Sequence, residues 1–156
     1  MATKKNNIHI AIVASNFNRD IVDRLYSGAI STLEKKGINE EEIKVVRVPG
    51  AFEIPVAVNL LLNKNAVIDQ YDAIITLGVI IRGETSHFEY IANECAHGVS
   101  QLAIKNGDPY GIPIIFGVLT VDNREQAMNR SENAGKNKGS DAAQAALDMV
   151  DVLGNR

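Results

Sequence analysis

The sequence lacks several features on which whole classes of protein depend. A single cysteine, Cys95, excludes an internal disulfide and fits a reducing compartment, where its simplest role is that of a small buried side chain. The longest nearly apolar run, residues 73–81, is interrupted by Thr76 and is far shorter than the ~20 residues that a membrane span needs. With no Trp, four Phe, four Tyr and a net charge of -3, the chain offers little for base stacking and no overall basic field, so nucleic acid is a disfavoured partner.

What is present fits one globular domain over residues 1–156. A chain of this length buries roughly 68–70% of its unfolded surface, so it can form a hydrophobic core without disulfides or bound metal ions. Hydrophobic residues make up 46% and charged residues 22%, which is ordinary globular composition. The positive charge near the N-terminus is not followed by an apolar stretch of signal-peptide length, so we expect no export signal and a cytoplasmic location.

Short β-rich runs alternate with longer helical patterns along the chain. Strands are predicted at residues 8–14, 43–48, 73–80 and 113–120. Helices are predicted from residue 21 to a stop at 35–37, and at 51–64, 85–105, 123–130 and 140–153. Ser140 is predicted to cap the last helix, after a polar kink at 133–139. This order implies right-handed crossovers and an α/β fold of three layers, with helices on both faces of a four-stranded parallel sheet.

Four strands make a small sheet whose outer strands leave an edge unless something covers it. One remedy is self-association, with the N-terminal arm, residues 1–7, pairing on a neighbouring subunit. The alternative is that the arm is merely frayed, and the sequence favours neither.

Each predicted strand delivers polar or aromatic residues to one edge of the sheet, where ligands of open parallel sheets bind. The segments that follow the four strands are Ser15-Asn16-Phe17-Asn18, residues 49–53, residues 81–87, and Val121-Asp122-Asn123 leading to Arg130.

The segment after the third strand has the features of an anion site. Gly83 permits close backbone approach, and Thr85 is predicted to open a helix whose free N–H groups and dipole attract negative charge. Arg130 and Lys138 are candidates to complete the positive charge. The alternative is a simple helix start with a capping hydroxyl, and both readings stay open here.

His87 follows within one helical turn and is the natural proton shuttle at neutral pH. A lone histidine is more often a satisfied surface or core residue, and we assign His9 and His97 to that class. The three histidines and one cysteine show no metal-ligand spacing, so a zinc site is not expected.

Phe17 is placed on a loop between two asparagines, where its ring could stack on a flat substrate. The commoner alternative is a hydrophobic plug over the end of the sheet. Glu53 lies in a first helical turn, where the helix dipole alone could explain it.

Taken together, these junctions resemble the 6,7-dimethyl-8-ribityllumazine synthase family of riboflavin biosynthesis. Five pieces match in the family's order, covering the chain from about residue 8 to 153. They are Ser15-Asn16-Phe17-Asn18, residues 48–55, residues 77–88, Phe116-Gly117-Val118-Leu119-Thr120, and Asn137-Lys138-Gly139.

The resemblance implies a flavodoxin-like sheet, assembly into homopentamers, and sites between adjacent subunits. It implies condensation of 5-amino-6-(D-ribitylamino)uracil with 3,4-dihydroxy-2-butanone 4-phosphate, releasing phosphate and water, without a cofactor or metal. The spacing of eight residues between Arg130 and Lys138 resembles members that pack pentamers into a sixty-subunit shell, in which riboflavin synthase is a possible associate.

The resemblance also implies roles for residues on the pyrimidine side of the site. Phe17 would stack on the pyrimidine ring, and backbone groups at Val79 and Ile80 would read it. Ala51 and Glu53 would hold the ribityl chain. Phe52, between them in the same motif, is included among the substrate-binding residues.

On the phosphate side, the roles are carried over in the same way. Gly83, Glu84 and Thr85 would cradle the phosphate, and His87 would move protons. From the neighbouring subunit, Phe116 would approach the ring and Arg130 would clamp the phosphate. The family's lysine beyond the kink is matched by Lys138.

Two residues depart from the family pattern. Glu84 stands where a small residue is usual, so we expect its carboxylate to point away from a phosphate while its N–H donates. Arg47 stands in the second strand, where apolar or aromatic residues are more usual, and is expected to face a subunit contact or solvent.

Other functions remain open from the sequence. The same edge could capture a flavin or lumazine without turnover, or the chain could be a shell-forming protein that retains only the assembly surfaces. A generic phosphate-binding enzyme of the same fold is a third alternative.

Overall fold

A computed structural model describes residues 7–63, 71–106, 111–133 and 136–154. The predicted pairing of the N-terminal arm falls almost entirely on residues 1–6, outside the described residues, and stays a prediction. Within the described ranges, no helix combines the length and apolar character needed to cross a membrane.

The centre of the molecule is a parallel sheet of four strands in the order β2-β1-β3-β4. The strands are β1 (Ile10–Ser15), β2 (Ile43–Val48), β3 (Ala73–Ile81) and β4 (Ile114–Val121). All but the last residue of β3 are buried, as its continuous apolar run predicts for an inner parallel strand. The predicted strands are therefore confirmed to within two residues at each end.

In the described ranges, five α-helices cover the two faces of the sheet. They are α1 (Arg19–Lys35), α2 (Ile54–Asn63), α3 (His87–Lys105), α4 (Arg124–Asn129) and α5 (Lys138–Gly154). One core cluster joins α1, α4 and α5 to one face, and a second joins α2 and α3 to the other. The three-layer, flavodoxin-like α/β fold is confirmed.

Each helix begins within three residues of its predicted start, and the shifts at α2, α3 and α5 affect specific predictions. A 3₁₀ turn at Ala51–Glu53 precedes α2, so Pro55 lies in the first α-helical turn, where its missing N–H costs nothing. Thr85 lies two residues before α3 rather than inside it. The prediction that Ser140 caps α5 is wrong, because α5 already begins at Lys138.

Asn137 provides the cap that was assigned to Ser140. Its side-chain oxygen accepts hydrogen bonds from the backbone N–H groups of Gly139 (2.8 Å) and Ser140 (3.1 Å). The Ser140 hydroxyl instead donates to the Gly28 carbonyl at 3.0 Å. Asn137 caps the helix in place of Ser140 because its amide nitrogen also donates to the carbonyls of Arg24 and Ser131. The hydrogen bond to Arg24 ties this segment to α1.

Helices α1 and α5 approach so closely that glycine is required at the crossing. A Cβ added at Gly139 would overlap the backbone carbonyl of Leu25. This contact fixes where α5 begins, and the Lys138 N–H donates to the Arg130 carbonyl at 2.8 Å. The backbones of Arg130 and Lys138 therefore lie side by side.

Arg47 finds its partners within the chain. Its guanidinium forms an ion pair with Asp23 of α1 at 2.7 Å and lies over the ring of Tyr26, 5.3 Å from the centroid. These contacts accommodate a charged residue on β2, an edge strand of the sheet.

Candidate functional site

A cleft of about 430 Å³ opens beyond the carboxyl ends of β1 and β3, between the loop after β1, the 3₁₀ turn before α2 and the start of α3. Nine of the residues singled out from the sequence line it. They are Phe17, Ala51, Phe52, Glu53, Val79, Ile80, Gly83, Thr85 and His87. Its position is the one that the strand order of an open parallel sheet favours for a ligand.

Phe17 presents most of its ring to the cleft and to solvent. The side chain is 71% exposed, which does not fit the alternative of a plug over the sheet. The loop that carries it is anchored, because Asn16 and Phe17 donate backbone hydrogen bonds to the carbonyls of Val48 (2.8 Å) and Pro49 (3.0 Å). A fixed backbone with an exposed aromatic ring is suited to stacking on a planar ligand.

Asn18 also lines the cleft, although the sequence did not single it out as a site residue. It takes the left-handed conformation (φ 54°, ψ 43°), which asparagine tolerates better than most residues. In that conformation its side-chain amide donates to the Val79 carbonyl at 3.1 Å. Asn18 therefore ties the loop after β1 to the end of β3 and engages one of the carbonyls expected to read a ligand.

The loop between β3 and α3 carries free backbone donors beside the cleft. Within the described part of the chain, the backbone N–H groups of Gly83, Glu84 and Thr85 have no hydrogen-bond acceptor. A Cβ at Gly83 would meet nothing within 4 Å, so space beside the backbone is open. The Glu84 side chain is exposed and does not line the cleft. Adjacent N–H groups before a helix start form an arrangement that attracts an anion.

His87 is the first residue of α3, and its exposed side chain lines the same cleft. Its backbone N–H contacts the Thr85 hydroxyl only at a long 3.4 Å. The imidazole therefore lies next to the loop of free N–H groups, within one cleft that also holds Phe17.

Four predicted site residues lie outside the cleft: Glu84, as described above, and three further residues. Phe116 is on the edge strand β4 and is 42% exposed. Arg130 directly follows α4, and Lys138, which pairs with Asp141 at 2.9 Å, begins α5. Because α4 and α5 pack on the opposite face of the sheet from α3, one copy of the chain does not bring Arg130 and Lys138 to the cleft.

Four further lining residues were given no role from the sequence. They are Gly50, Ile81, Phe88 and Ile91. The spacing of Ile91 signals only a buried helical stripe, and Phe88 carries no polar group that would mark it as functional. Both line the cleft because α3 begins beside it.

Two kinds of chemistry have no support among the described residues. No group of three His, Cys, Asp or Glu side chains there is placed to hold a metal ion. Cys95 is buried on the inner side of α3, and this burial raises the pKa of its thiol to about 11. A thiol of that kind is a packing group and a poor nucleophile.

The raised pKa gives a direct prediction for thiol labelling. Raising the pKa favours the protonated form, so at pH 8 roughly one Cys95 thiol in a thousand is ionised in the folded protein. We expect a disulfide reagent to label Cys95 slowly in the native protein and rapidly after unfolding in urea. Labelling at equal rates in both states would contradict the assignment.

The three-layer α/β fold brings an aromatic ring, an imidazole and free N–H groups to one cleft, an arrangement suited to a small anionic ligand. A family model described as 6,7-dimethyl-8-ribityllumazine synthase matches residues 7–154. The chain therefore belongs to the 6,7-dimethyl-8-ribityllumazine synthase family, whose members are transferases of riboflavin biosynthesis. The family acts on small molecules and typically forms oligomers.

Proposed function

We propose that the protein condenses 5-amino-6-(D-ribitylamino)uracil with 3,4-dihydroxy-2-butanone 4-phosphate to form 6,7-dimethyl-8-ribityllumazine, phosphate and water. One observation carries the proposal beyond family membership. Phe17, His87 and the free N–H groups of the loop after β3 share one cleft of a size suited to small molecules.

The chemistry needs proton transfers and positioning more than a nucleophile. The 5-amino group attacks the butanone carbonyl, and loss of water gives an imine. Phosphate then leaves by elimination, the chain tautomerises, and ring closure expels a second water. No step requires a covalent bond to the protein, so the main contribution is to hold both reactants in attack geometry.

The pyrimidine half binds at the ends of β1 and β3. Phe17 stacks on the ring, and backbone groups at Val79 and Ile80 hydrogen-bond to its edge, with the Val79 carbonyl shared with Asn18. The ribityl hydroxyls meet the half-buried carboxylate of Glu53 beside Ala51 and Phe52, which are placed by the 3₁₀ turn.

The phosphate half binds at the loop after β3. The N–H groups of Gly83, Glu84 and Thr85 donate to phosphate oxygens, while the Glu84 carboxylate stays in solvent, away from the anion. His87 beside them takes a proton during imine formation and returns one to the departing group.

A second copy of the chain completes the site. Arg130 and Phe116 reach the cleft of a neighbour, with Lys138 beside Arg130, because one copy holds these residues away from its own cleft. Self-association is supported by an apolar stripe of Phe52 in the 3₁₀ turn and Val56 and Leu60 on α2, each more than half exposed. We propose a homopentamer, and the short spacing from Arg130 to Lys138 favours further packing into a sixty-subunit shell that could associate with riboflavin synthase. The cytoplasmic location and the absence of a cofactor stay predictions.

A two-substrate assay tests the proposal. The purified protein should consume both substrates, release inorganic phosphate and produce the fluorescent lumazine at matching rates. Binding of lumazine or riboflavin without consumption of substrates would instead favour the non-catalytic binder, and assembly without either would favour a shell protein.

Removing the ring of Phe17 separates the proposed function from a generic phosphate-binding enzyme. Phe17→Ala is expected to raise the KM for the pyrimidine by about tenfold, because a stacking contact is lost. The KM for the butanone phosphate should change little. Phe17→Tyr keeps the aromatic face and serves as the control, and unchanged pyrimidine KM in Phe17→Ala would favour the generic enzyme.

A further inference from the structure

Arg82 lies directly after β3, at one end of the loop that exposes its N–H groups to the cleft, but does not itself line the cleft. Its guanidinium makes three contacts, one with the segment after β4 and two with the first turn of α3. Nε donates to Asp122, which follows β4, at 3.1 Å, and Nη1 donates to Glu89 of α3. The guanidinium also lies over the ring of Phe88, 4.5 Å from its centroid.

These contacts link the two ends of the cleft loop. The Arg82 backbone N–H continues the sheet by donating to the Val121 carbonyl at 2.9 Å. Its side chain contacts Glu89 and Phe88 in the first turn of α3, immediately after His87. Phe88 lines the cleft, and the Arg82 guanidinium packs on the face of its ring. Arg82 therefore supports a ring that borders the cleft, although Arg82 itself does not line the cleft.

The loop between these anchors has little support of its own. Among the described residues, the hydrogen bonds of residues 83–86 are limited to the long contact of Thr85 with the His87 N–H and one from the Glu89 N–H to the Ser86 carbonyl. The direction of the free N–H groups therefore depends on how the end of β3 and the start of α3 are held together.

The hydrogen bonds of Arg82 favour the charged forms of both Arg82 and Glu89. Hydrogen bonds to Asp122 and then Glu89 raise the pKa of Arg82, and the hydrogen bond from Arg82 lowers the pKa of the Glu89 carboxyl. Single exposed ion pairs contribute little, but a planar guanidinium that engages two carboxylates and a ring has its geometry fixed by all three.

We propose that Arg82 is a positioning residue that sets the loop 83–85 and the start of α3 for binding the phosphate of the substrate. This inference rests on the proposed function for the identity of the substrate. It acts through the backbone donors and His87, and Arg82 makes no contact with the substrate itself.

Inorganic phosphate is a probe that does not depend on turnover. We expect Arg82→Gln to weaken phosphate binding, measured by calorimetry, by about tenfold, because the donors are no longer held in register. In the two-substrate assay the same variant should raise the KM for the butanone phosphate by a similar factor and leave the KM for the pyrimidine unchanged. Equal phosphate affinity in Arg82→Gln and the unsubstituted protein would overturn the inference.

Arg47→Gln is a matched control. Arg47 also pairs with a carboxylate and lies over an aromatic ring, but it does not line the cleft. It is expected to leave phosphate affinity and both KM values unchanged. A loss as large as that of Arg82→Gln would assign the effect to general destabilisation.

Glu89→Ala distinguishes positioning from simple charge and remains informative if Arg82→Gln does not fold. Removing a carboxylate near the loop would tighten phosphate binding if charge alone mattered. If Arg82 acts by positioning, Glu89→Ala weakens phosphate binding despite the favourable change in charge, and tighter binding would overturn the inference. An unsubstituted protein that binds phosphate in this way but forms no lumazine would contradict the proposed function alone.

Discussion

Replacing His87 with alanine is expected to lower kcat by about 10²–10⁴-fold while leaving measurable activity. The imidazole is exposed in the cleft beside the loop of free N–H groups, where protons must move during imine formation and elimination. Activity survives because holding the two reactants together needs no histidine. Steady-state kinetics with both substrates measures the change, and both KM values should vary far less than kcat.

His97→Ala is the matched control for this substitution. His97 is an exposed histidine on the same helix, ten residues further along, and does not line the cleft. It should leave kcat unchanged. An unchanged kcat in His87→Ala would remove the proton-transfer role from His87.

Replacing Arg130 with alanine is expected to raise the KM for the butanone phosphate by about 100-fold, with a smaller effect on kcat. The guanidinium is exposed, and its one hydrogen bond among the described residues goes to the Gln126 carbonyl at 3.1 Å. No carboxylate among the described residues forms an ion pair with Arg130, so its guanidinium is available to bind an anion. The KM for the pyrimidine should stay within a factor of about two, because binding of that half does not use Arg130.

Arg124→Ala provides the comparison. Arg124 begins α4, the short helix that Arg130 directly follows, but it already forms an ion pair with Asp20. Its removal should leave the KM for the butanone phosphate nearly unchanged. If Arg130→Ala and Arg124→Ala gave equal effects, the phosphate clamp would not be Arg130.

The fold was largely predictable because its signals are local and repeated. The apolar run at 73–81 is long enough to mark an inner strand, and the alternation of strands with helices allows few topologies. Helix starts were less predictable, because they depend on contacts between distant segments. Asn137 replaces Ser140 as the cap of α5 since it also bonds to α1, and no local pattern shows that.

The site was predictable only in part, for a related reason. Residues after the strands of a parallel sheet share one edge, which is why Phe17, Gly83 and His87 were placed together correctly. Asn18 was not predicted as a site residue because its role follows from a left-handed backbone conformation and a hydrogen bond to the Val79 carbonyl. Phe88 was not predicted because its position depends on how α3 packs.

In the proposed assembly, one site takes His87 from one copy of the chain and Arg130 from its neighbour. Co-assembly of His87→Ala chains with Arg130→Ala chains tests it, because each variant carries the residue that the other lacks. With random mixing in equal amounts around a ring, about one quarter of the sites hold both residues. At butanone phosphate concentrations well below the KM, where Arg130→Ala chains alone are nearly inactive, lumazine formation should therefore recover to about one quarter of the unsubstituted rate. Activity no greater than the average of the two separate variants would contradict the claim.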